Sequence, residues 1–207
     1  MKIGIIGSGH IGSTLARLLA ARGHELALAN SRGPDSLREL VATLGPNVRA
    51  ASVREAASHG DVVIEAIPFG RLGDLPSDEL AGKILVTAAN YYPGRDGSID
   101  LEGLAESQYT ARLVPGARVV KAFNTIWFKH LAEQGDVSKP LEERRAIFVE
   151  SDDEDAKRVV SSLIEEIGFA PVDGGTLADS ARFQPDTPLY NQNVTAREAR
   201  ERLGDAR

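Results

Sequence analysis

The glycine pattern near the N-terminus restricts the fold of this chain more than any other feature. It reads Gly7-Ser8-Gly9-His10-Ile11-Gly12, follows the apolar run Lys2–Ile6, and opens the run Ile11–Arg22, whose leucines share one helical face. In a strand–turn–helix unit, the first glycine permits a tight turn, the second lets a pyrophosphate approach the backbone, and the third packs the helix on the strand. The helix N-terminus adds unpaired N–H groups that favour phosphate. This context predicts dinucleotide binding in preference to a turn of small residues.

Short apolar runs alternate with helical patterns along most of the chain. Further strands are predicted near Leu26–Asn30, Val48–Ala50, Asp61–Ile67, Lys83–Ala88, Arg118–Ala122, Ala146–Glu150 and Pro171–Asp173. Ser151 is predicted to cap a helix that stops at Gly168, and Thr195–Arg207 is predicted to be a surface helix or a frayed tail. Alternation of this kind is typical of an α/β fold, here a Rossmann-type doubly wound parallel sheet with a small C-terminal extension.

The composition narrows the class of protein. The 207 residues carry a formal net charge of -6, so we expect no nucleic-acid partner. No apolar run approaches the ~18–20 residues that span a bilayer, and the first apolar stretch is too short for a signal peptide. We therefore expect no membrane partner and a cytoplasmic location. The chain has no cysteine, which excludes disulfides and thiolate chemistry.

The stretch after the second predicted strand indicates which dinucleotide binds. At about 20 residues after the glycines, a carboxylate would hydrogen-bond an adenosine ribose 2′-hydroxyl and would repel a 2′-phosphate. This chain has Asn30, Ser31 and Arg32 there instead, and the planar fork of arginine is suited to phosphate. Asp35 follows Pro34 and is assigned to the start of the next helix. The pattern favours NADP over NAD, and the alternative is an ordinary polar loop with an exposed arginine.

Other strand ends are predicted to complete the site, because ligands of open α/β sheets collect at the carboxyl ends of the strands. Pro68 and Phe69 would turn the chain beside the nicotinamide. Asn90, Asn124 and Thr125 would hydrogen-bond a carboxamide or a substrate carbonyl. Asn and Pro are also common wherever a strand ends, so ordinary turn chemistry is the alternative for each of them.

No arrangement of acid–base or metal-binding residues stands out. The histidines His10, His24, His59 and His130 have no metal-ligand spacing, and no metal site is predicted. Lys121 is predicted to be an acid for carbonyl reduction or, equally, a snorkelling residue at an edge. Hydride transfer between two ring systems needs alignment and little proton chemistry from the protein. This small set of acid–base residues fits a reductase of a flavin-like partner, and we assign no catalytic residue.

The chain resembles the NADP oxidoreductases that depend on coenzyme F420, a deazaflavin hydride carrier. The likeness covers the glycine motif and the segments Ala29–Arg32, Ala66–Phe69, Ala122–Ile126, Ser151–Lys157 and Val172–Gly175. The resemblance implies a homodimer in which a Rossmann domain and a small C-terminal part hold the deazaflavin against the nicotinamide. It also implies that Ser8, His10 and Ile11 contact pyrophosphate and that Ser31 and Arg32 hold the 2′-phosphate. The predicted cofactor-binding residues are Gly7, Ser8, Gly9, His10, Ile11, Gly12, Asn30, Ser31, Arg32, Ile67, Pro68, Phe69 and Asn90, and the predicted substrate residues are Tyr91, Asn124 and Thr125.

Three segments depart from the archaeal members of that family. They are Asn124, where those members carry histidine, and the stretches Tyr91–Gly97 and Arg182–Pro188. All three fall on the deazaflavin side, so the resemblance supports NADP binding more strongly than it supports F420 use.

We therefore predict an NADP(H)-dependent oxidoreductase whose acceptor is a deazaflavin (coenzyme F420) or a flavin-like molecule. An NADP-binding Rossmann domain is expected over residues 1–140, and a smaller C-terminal α/β part over residues 141–207 is expected to complete the acceptor site. The alternatives are a reductase of another small molecule or ferric chelate, or a non-catalytic NADP(H)-binding redox sensor.

Overall fold

One sheet of eight strands organises the computed structural model, which describes residues 1–205. The strands are β1 (Lys2–Ile6), β2 (Glu25–Ala29), β3 (Val48–Ala51), β4 (Val62–Glu65), β5 (Ile84–Thr87), β6 (Arg118–Ala122), β7 (Ala146–Glu150) and β8 (Ala170–Gly175). Their order in the sheet is β3-β2-β1-β4-β5-β6-β7-β8. The chain winds outward from β1 to β3 and starts again on the other side of β1 with β4. The turn after β1 therefore lies where the winding reverses, which is where open α/β sheets bind ligands.

Helices cover both faces of the sheet. In the described part of the chain they are α1 (His10–Ala20), α2 (Arg38–Leu44), α3 (Val53–His59), α4 (Ser77–Leu80), α5 (Pro93–Asp96), α6 (Glu106–Leu113), α7 (Phe128–Glu133), α8 (Glu154–Glu166) and α9 (Ala196–Asp205). One face of the sheet packs on α1, α7 and α8 through buried residues such as Leu15, Leu131 and Val160. The other face packs on α3 and α6 through residues such as Ala56 and Tyr109. The predicted doubly wound α/β fold is confirmed.

The last two strands run in the opposite direction to the others. β7 pairs with β6 in the antiparallel sense, through Lys121 with Glu150 and Ala122 with Val149, and β8 is parallel to β7. The sheet thus differs at this edge from the wholly parallel arrangement that the pattern predicts. An apolar run reads alike in both directions, so it predicts a strand without its direction. Both strands belong to the same sheet as the rest, and the division at residue 140 stays a prediction.

Helix α8 begins later than its predicted cap, Ser151. Its N-cap is Asp153, whose carboxylate accepts a hydrogen bond from the Ala156 N–H at 2.9 Å. The Ser151 hydroxyl instead donates to the Val119 carbonyl at 2.7 Å, which ties this segment to β6. The prediction is wrong because Ser151 and Asp153 are both residue types that cap helices. Asp153 directly precedes the first helical turn and makes the capping bond.

The C-terminal segment forms the surface helix that was one of its two predicted states, and one face of that helix packs on the sheet. α9 buries Ala196, Ala199 and Leu203 in a cluster that includes Phe148 of β7 and Val172 of β8. These apolar residues recur at spacings of three and four, which places them on one helical face. Residues 206 and 207, at the end of the predicted segment, lie outside the described residues. No helix within residues 1–205 is long and apolar enough to cross a membrane.

Candidate functional site

Two adjoining clefts lie at the carboxyl ends of the strands. The first has a volume of about 550 Å³ and is bounded by the glycine turn after β1, the end of β2 and the segment after β4. The second has a volume of about 390 Å³ and is bounded by the ends of β4, β5 and β6 and by the start of α7. Ala66, Ile67 and Pro68 line both, so the two clefts meet along this segment.

The glycine turn has room for a phosphate group at Gly9. A Cβ atom at Gly12 would lie 1.9 Å from the Gly7 carbonyl oxygen, so the close packing of helix and strand requires that glycine. At Gly9, no atom of the described residues lies within 4 Å of the Cβ position. Gly9 has a φ of -72° and a ψ of -169°, which other residues adopt without strain. The protein's own packing does not require glycine there, and the bare backbone suits the approach of a pyrophosphate.

The N-terminus of α1 provides hydrogen-bond donors beside this opening. The 11-residue helix begins at His10, directly after Gly9, and no side chain of the described residues caps it. Its first turn has no acidic residue, so its free N–H groups and partial positive charge are uncompensated. Gly7 and Ser8 line the first cleft, whereas His10 and Ile11 line the second. The turn therefore contributes to both clefts.

The end of β2 forms a turn that Asn30 holds. The Asn30 side chain donates to Ser8 Oγ at 3.2 Å and to Ser36 Oγ at 3.0 Å, and its Oδ1 accepts the Arg32 N–H at 2.9 Å. Asn30 thus ties this turn to the glycine turn. The side chains of Ser31 and Arg32 are exposed and line the first cleft.

Two further charged residues define this cleft. Asp35, the first acid after β2, pairs with Arg38 at 2.7 Å and is absent from the described wall of the cleft. Arg71, in the 3₁₀ segment after β4, does line the cleft and pairs with Asp74 at 2.6 Å. Arg71 is not among the residues predicted from the sequence, although its place three residues after Pro68 is a usable signal.

The two predicted asparagines of the second cleft are joined by hydrogen bonds. Asn90 Nδ2 donates to the Asn124 carbonyl at 2.8 Å, and Asn124 Nδ2 donates to the Phe183 carbonyl at 3.2 Å. Both residues line the cleft and both are buried. Asn124 Oδ1 has no hydrogen-bond partner within residues 1–205, which leaves one unpaired acceptor in this wall.

Four predicted residues lie outside the walls of both clefts in the described structure, namely Gly12, Phe69, Tyr91 and Thr125. The Phe69 ring is buried against Tyr91 and Tyr109. The Tyr91 hydroxyl donates to the Gly97 carbonyl at 2.8 Å, and Thr125 is buried. Residues that follow a strand end face either the cleft or the core, and the sequence did not predict which of them face the core.

Aromatic side chains form much of the second cleft. The His10 ring stacks on Phe128 with ring centroids 4.1 Å apart, and Trp127 beside them is 44% exposed. Elsewhere in the wall, the Tyr92 and Tyr190 hydroxyls hydrogen-bond to each other. Burial raises the pKa of Tyr190 above its usual range, so it stays a neutral phenol. The cleft presents ring faces of the kind that pack against a planar ligand.

This aromatic wall is not predicted from the sequence. Trp127 and Phe128 come directly after the strand-end segment of β6, and that position was the available signal. Tyr190 lies 98 residues beyond Tyr92, and no local pattern connects the two. Arg95, also missed, lies over the Tyr92 ring at 5.0 Å and adds a positive charge to the cleft.

Lys121, the predicted proton donor, lies outside the walls of both clefts as described. Within residues 1–205, no group of three or more acidic or histidine residues is placed to hold a metal ion. Lys121 is fully buried, and its ammonium donates to the Ala89 carbonyl instead of lining a cleft. It is therefore neither an acid in contact with substrate nor a snorkelling residue.

The fold and the clefts define a dinucleotide-binding α/β protein of the Rossmann type. The glycine turn, the uncapped helix N-terminus and the reversal of strand order occur at one place, which is the arrangement that this class uses for its cofactor. Residues 2–91 match the model of the family described as NADP oxidoreductase, coenzyme F420-dependent. Over that part of the chain, the match confirms the predicted resemblance to NADP-dependent oxidoreductases.

Similar proteins extend over more of the chain. A hypothetical protein of Sinorhizobium meliloti is 38% identical, with a TM-score of 0.82 over 94% of this chain and 95% of that one. A proposed F420-dependent NADP reductase of Arthrobacter sp. FB24 is 26% identical, with a TM-score of 0.72 over 87% of each chain. Metalloreductase STEAP3 of Rattus norvegicus is 33% identical over 190 residues, which are 91% of this chain and 36% of that protein. The chain therefore spans about a third of the length of the curated relatives it matches.

Proposed function

We propose that NADP(H) binds along both clefts and exchanges a hydride with a planar acceptor, either a deazaflavin such as coenzyme F420 or a flavin. The observation that carries this proposal is the order of the features along the two clefts. The strand end without an acid comes first, the glycine turn that is open at Gly9 comes next, and the aromatic cleft follows. This is the order of adenosine, pyrophosphate and nicotinamide in an extended dinucleotide.

The first cleft suits an adenosine that carries a 2′-phosphate. Ser31 and Arg32 would hold the phosphate, because an arginine fork donates two parallel hydrogen bonds to phosphate oxygens. Arg71 adds a second guanidinium to the same cleft. The one carboxylate in the described wall is Asp74, and it is already paired with Arg71. The charge balance therefore favours NADP(H) over NAD(H).

The second cleft suits the nicotinamide and a planar acceptor. When bound, NADPH supplies a hydride from its nicotinamide ring. Ile67 and Pro68 would flank this half of the cofactor, Asn90 would orient its carboxamide, and the exposed ring of Trp127 would cover the acceptor. The described wall of this cleft has no carboxyl group, and its imidazole, that of His10, is stacked on a phenyl ring. The proton that balances the reduced acceptor is therefore taken from water.

A second candidate is a reductase of ferric chelates, which the likeness to a metalloreductase favours. A hydride carries two electrons and a ferric ion accepts one, so this activity requires a flavin that receives the hydride and passes the electrons on singly. Both candidates share the hydride step and differ in whether the acceptor leaves in its reduced form. A redox sensor, in which NADP(H) binds without transfer, is the non-enzymatic alternative.

Stopped-flow oxidation of NADPH in the presence of coenzyme F420, FMN, FAD or ferric citrate tests the proposal. The expected result is loss of one NADPH for each F420 or flavin reduced, without iron. Ferric reduction that requires added flavin would establish the second candidate. Tight NADPH binding with no turnover of any acceptor would contradict both enzyme functions and leave the sensor.

A further inference from the structure

Charged side chains are buried in the sheet directly behind the two clefts. Glu65 on β4, Thr87 on β5 and Lys121 on β6 are register partners across neighbouring strands, and all three are 0% exposed. Glu106 of α6 is buried on the same side and lies 3.5 Å from the Lys121 ammonium. Isolated buried charges are costly, and apolar residues of similar size would avoid that cost. Their partners indicate what these charges do.

The Glu65 carboxylate joins the two segments that line the second cleft. It accepts the Ile67 N–H at 3.3 Å and the Ala89 N–H at 3.4 Å. The Thr87 hydroxyl donates to it from the end of β5. A single carboxylate thus connects the chain after β4 with the chain after β5.

Lys121 completes the same arrangement from the next strand. Its ammonium donates to the Ala89 carbonyl. The Ala89 N–H is thus held by a carboxylate and its C=O by an ammonium group. Burial raises the pKa of Glu106, and this increase is opposed by Lys121 and by the Tyr91 amide. Both main-chain polar groups of Ala89, directly before Asn90, are therefore bonded to buried charges, while the Asn90 side chain lines the cleft.

We propose that Glu65 and Lys121 are positioning residues, which hold the Ile67–Pro68 and Ala89–Asn90 segments in the geometry that binds the nicotinamide half of NADP(H). This inference rests on the proposed function and extends it to residues that never touch the ligand. Ionised Glu65 offers acceptors to both amide groups. A protonated Glu65 has an O–H group in place of one of those acceptors, and its hold on one segment is weaker.

Protonation of Glu65 makes binding of the nicotinamide half depend on pH. Burial raises the pKa of Glu65 to about 7, and the hydrogen bond from Thr87 partly opposes this increase. The nicotinamide half should therefore bind more tightly as the pH rises through neutrality. The titratable and charged groups that face this cluster from other elements are Glu106, Asp96 and Arg95 on the α5–α6 side and Glu150, Asp173, Asp179 and Lys157 on the β7–β8 side.

Glu65→Gln tests the inference, with Glu25→Gln as its matched control. Glu25 is exposed at the opposite end of the sheet, and its side chain makes no hydrogen bond within residues 1–205. The readout is the ratio of the dissociation constants of NADPH and of 2′-phospho-ADP-ribose, which lacks the nicotinamide. Because both ligands carry the 2′-phosphate, the ionisation of that phosphate cancels in the ratio.

The expected ratio in the wild-type protein changes about tenfold between pH 6 and pH 8, in favour of NADPH at high pH. In Glu65→Gln the ratio should be flat and NADPH should bind about tenfold more weakly at pH 8, with the fragment within twofold of wild type. Glu25→Gln should behave as wild type. Equal weakening of NADPH and fragment binding in Glu65→Gln would show that Glu65 is merely structural. A pH profile of Glu65→Gln that matches the wild-type profile would overturn the proposal.

Thr87→Val supplies a second variant should Glu65→Gln fold poorly. It keeps the branched shape and removes the hydroxyl that favours ionised Glu65, so the midpoint of the pH profile should move upward. Lys121→Met, compared with exposed Lys2→Met, should weaken NADPH about tenfold and leave the fragment unaffected. A midpoint that stays in place or falls in Thr87→Val refutes the role of Glu65. Wild-type protein that fails to bind NADPH overturns the proposed function itself, which is a distinct result.

Discussion

Replacement of Gly9 by alanine separates a requirement of the ligand from a requirement of the fold. The backbone of Gly9 is in a conformation that alanine adopts, and a Cβ there meets no described atom within 4 Å. The free energy of unfolding should therefore change by no more than about 0.5 kcal/mol. The new methyl group would occupy the space assigned to the pyrophosphate. It should weaken NADPH binding at least tenfold, which corresponds to about 1.4 kcal/mol.

Gly12→Ala is the matched variant in which the fold itself should suffer. Its Cβ would lie 1.9 Å from the Gly7 carbonyl oxygen, so α1 and the turn must separate. Forced overpacking of this kind costs ~1–3 kcal/mol, a large fraction of a total stability of ~5–15 kcal/mol.

Urea unfolding followed by circular dichroism, together with calorimetric titration of NADPH, measures both effects. Gly9→Ala should unfold at the wild-type urea concentration and bind NADPH poorly, whereas Gly12→Ala should unfold at a lower concentration. Wild-type NADPH affinity in Gly9→Ala would refute the placement of the pyrophosphate. Wild-type stability in Gly12→Ala would refute the packing argument.

Three further predictions concern buried or paired acids. Burial raises the pKa of Glu150 to about 8, above its value of 4.5 in the unfolded chain, so stability is full below pH 4.5 and is lost as the pH rises towards 8. Over the same pH range, urea unfolding should show a smaller loss of stability for Glu150→Gln than for wild type. At pH 9 the free energy of unfolding of the variant should exceed that of wild type by a few kcal/mol (order of magnitude). A steeper loss of stability in the variant would contradict this prediction. Asp153→Ala should cost ~1–2 kcal/mol at pH 7 by urea unfolding, because it removes both the cap of α8 and the ion pair with Arg118. Asp153→Asn also removes the partly exposed ion pair but keeps a capping side chain, so it should cost less; equal costs would contradict the capping role. Asp35→Asn should leave the NADPH-to-NADH affinity ratio within about twofold, since Asp35 pairs with Arg38 outside the cleft; a larger shift by titration would place it at the ribose.

The sequence predicts the first cleft better than the second because the first is encoded by short, local stretches. The glycine turn occupies six consecutive residues, and Asn30, Ser31 and Arg32 follow it at the spacing of a βαβ unit. The strand order then brings these segments together at one edge of the sheet. Asn30 differs from its predicted role of contacting the cofactor, since its side chain ties the two turns to each other.

The second cleft is less predictable because its residues come from distant parts of the chain. Tyr190 reaches Tyr92 only through the packing of the C-terminal part, and an apolar pattern does not specify that packing. Periodicity likewise did not predict the direction of β7. Lys121 lies in a strand pattern that resembles an edge, yet β6 is an interior strand and the lysine is fully buried. Its partners Ala89 and Glu106 are visible only in three dimensions.

Arg32 is proposed to receive the 2′-phosphate of NADP(H), and one measurement tests this role most directly. Dissociation constants of NADPH and NADH are determined for the wild-type protein and for Arg32→Ala under the same conditions. Loss of a charged hydrogen bond of ~1.5–3 kcal/mol should weaken NADPH by about 10- to 150-fold. NADH, which lacks the phosphate, should change by no more than about threefold. Equal weakening of both cofactors, or unchanged NADPH affinity, would contradict the account.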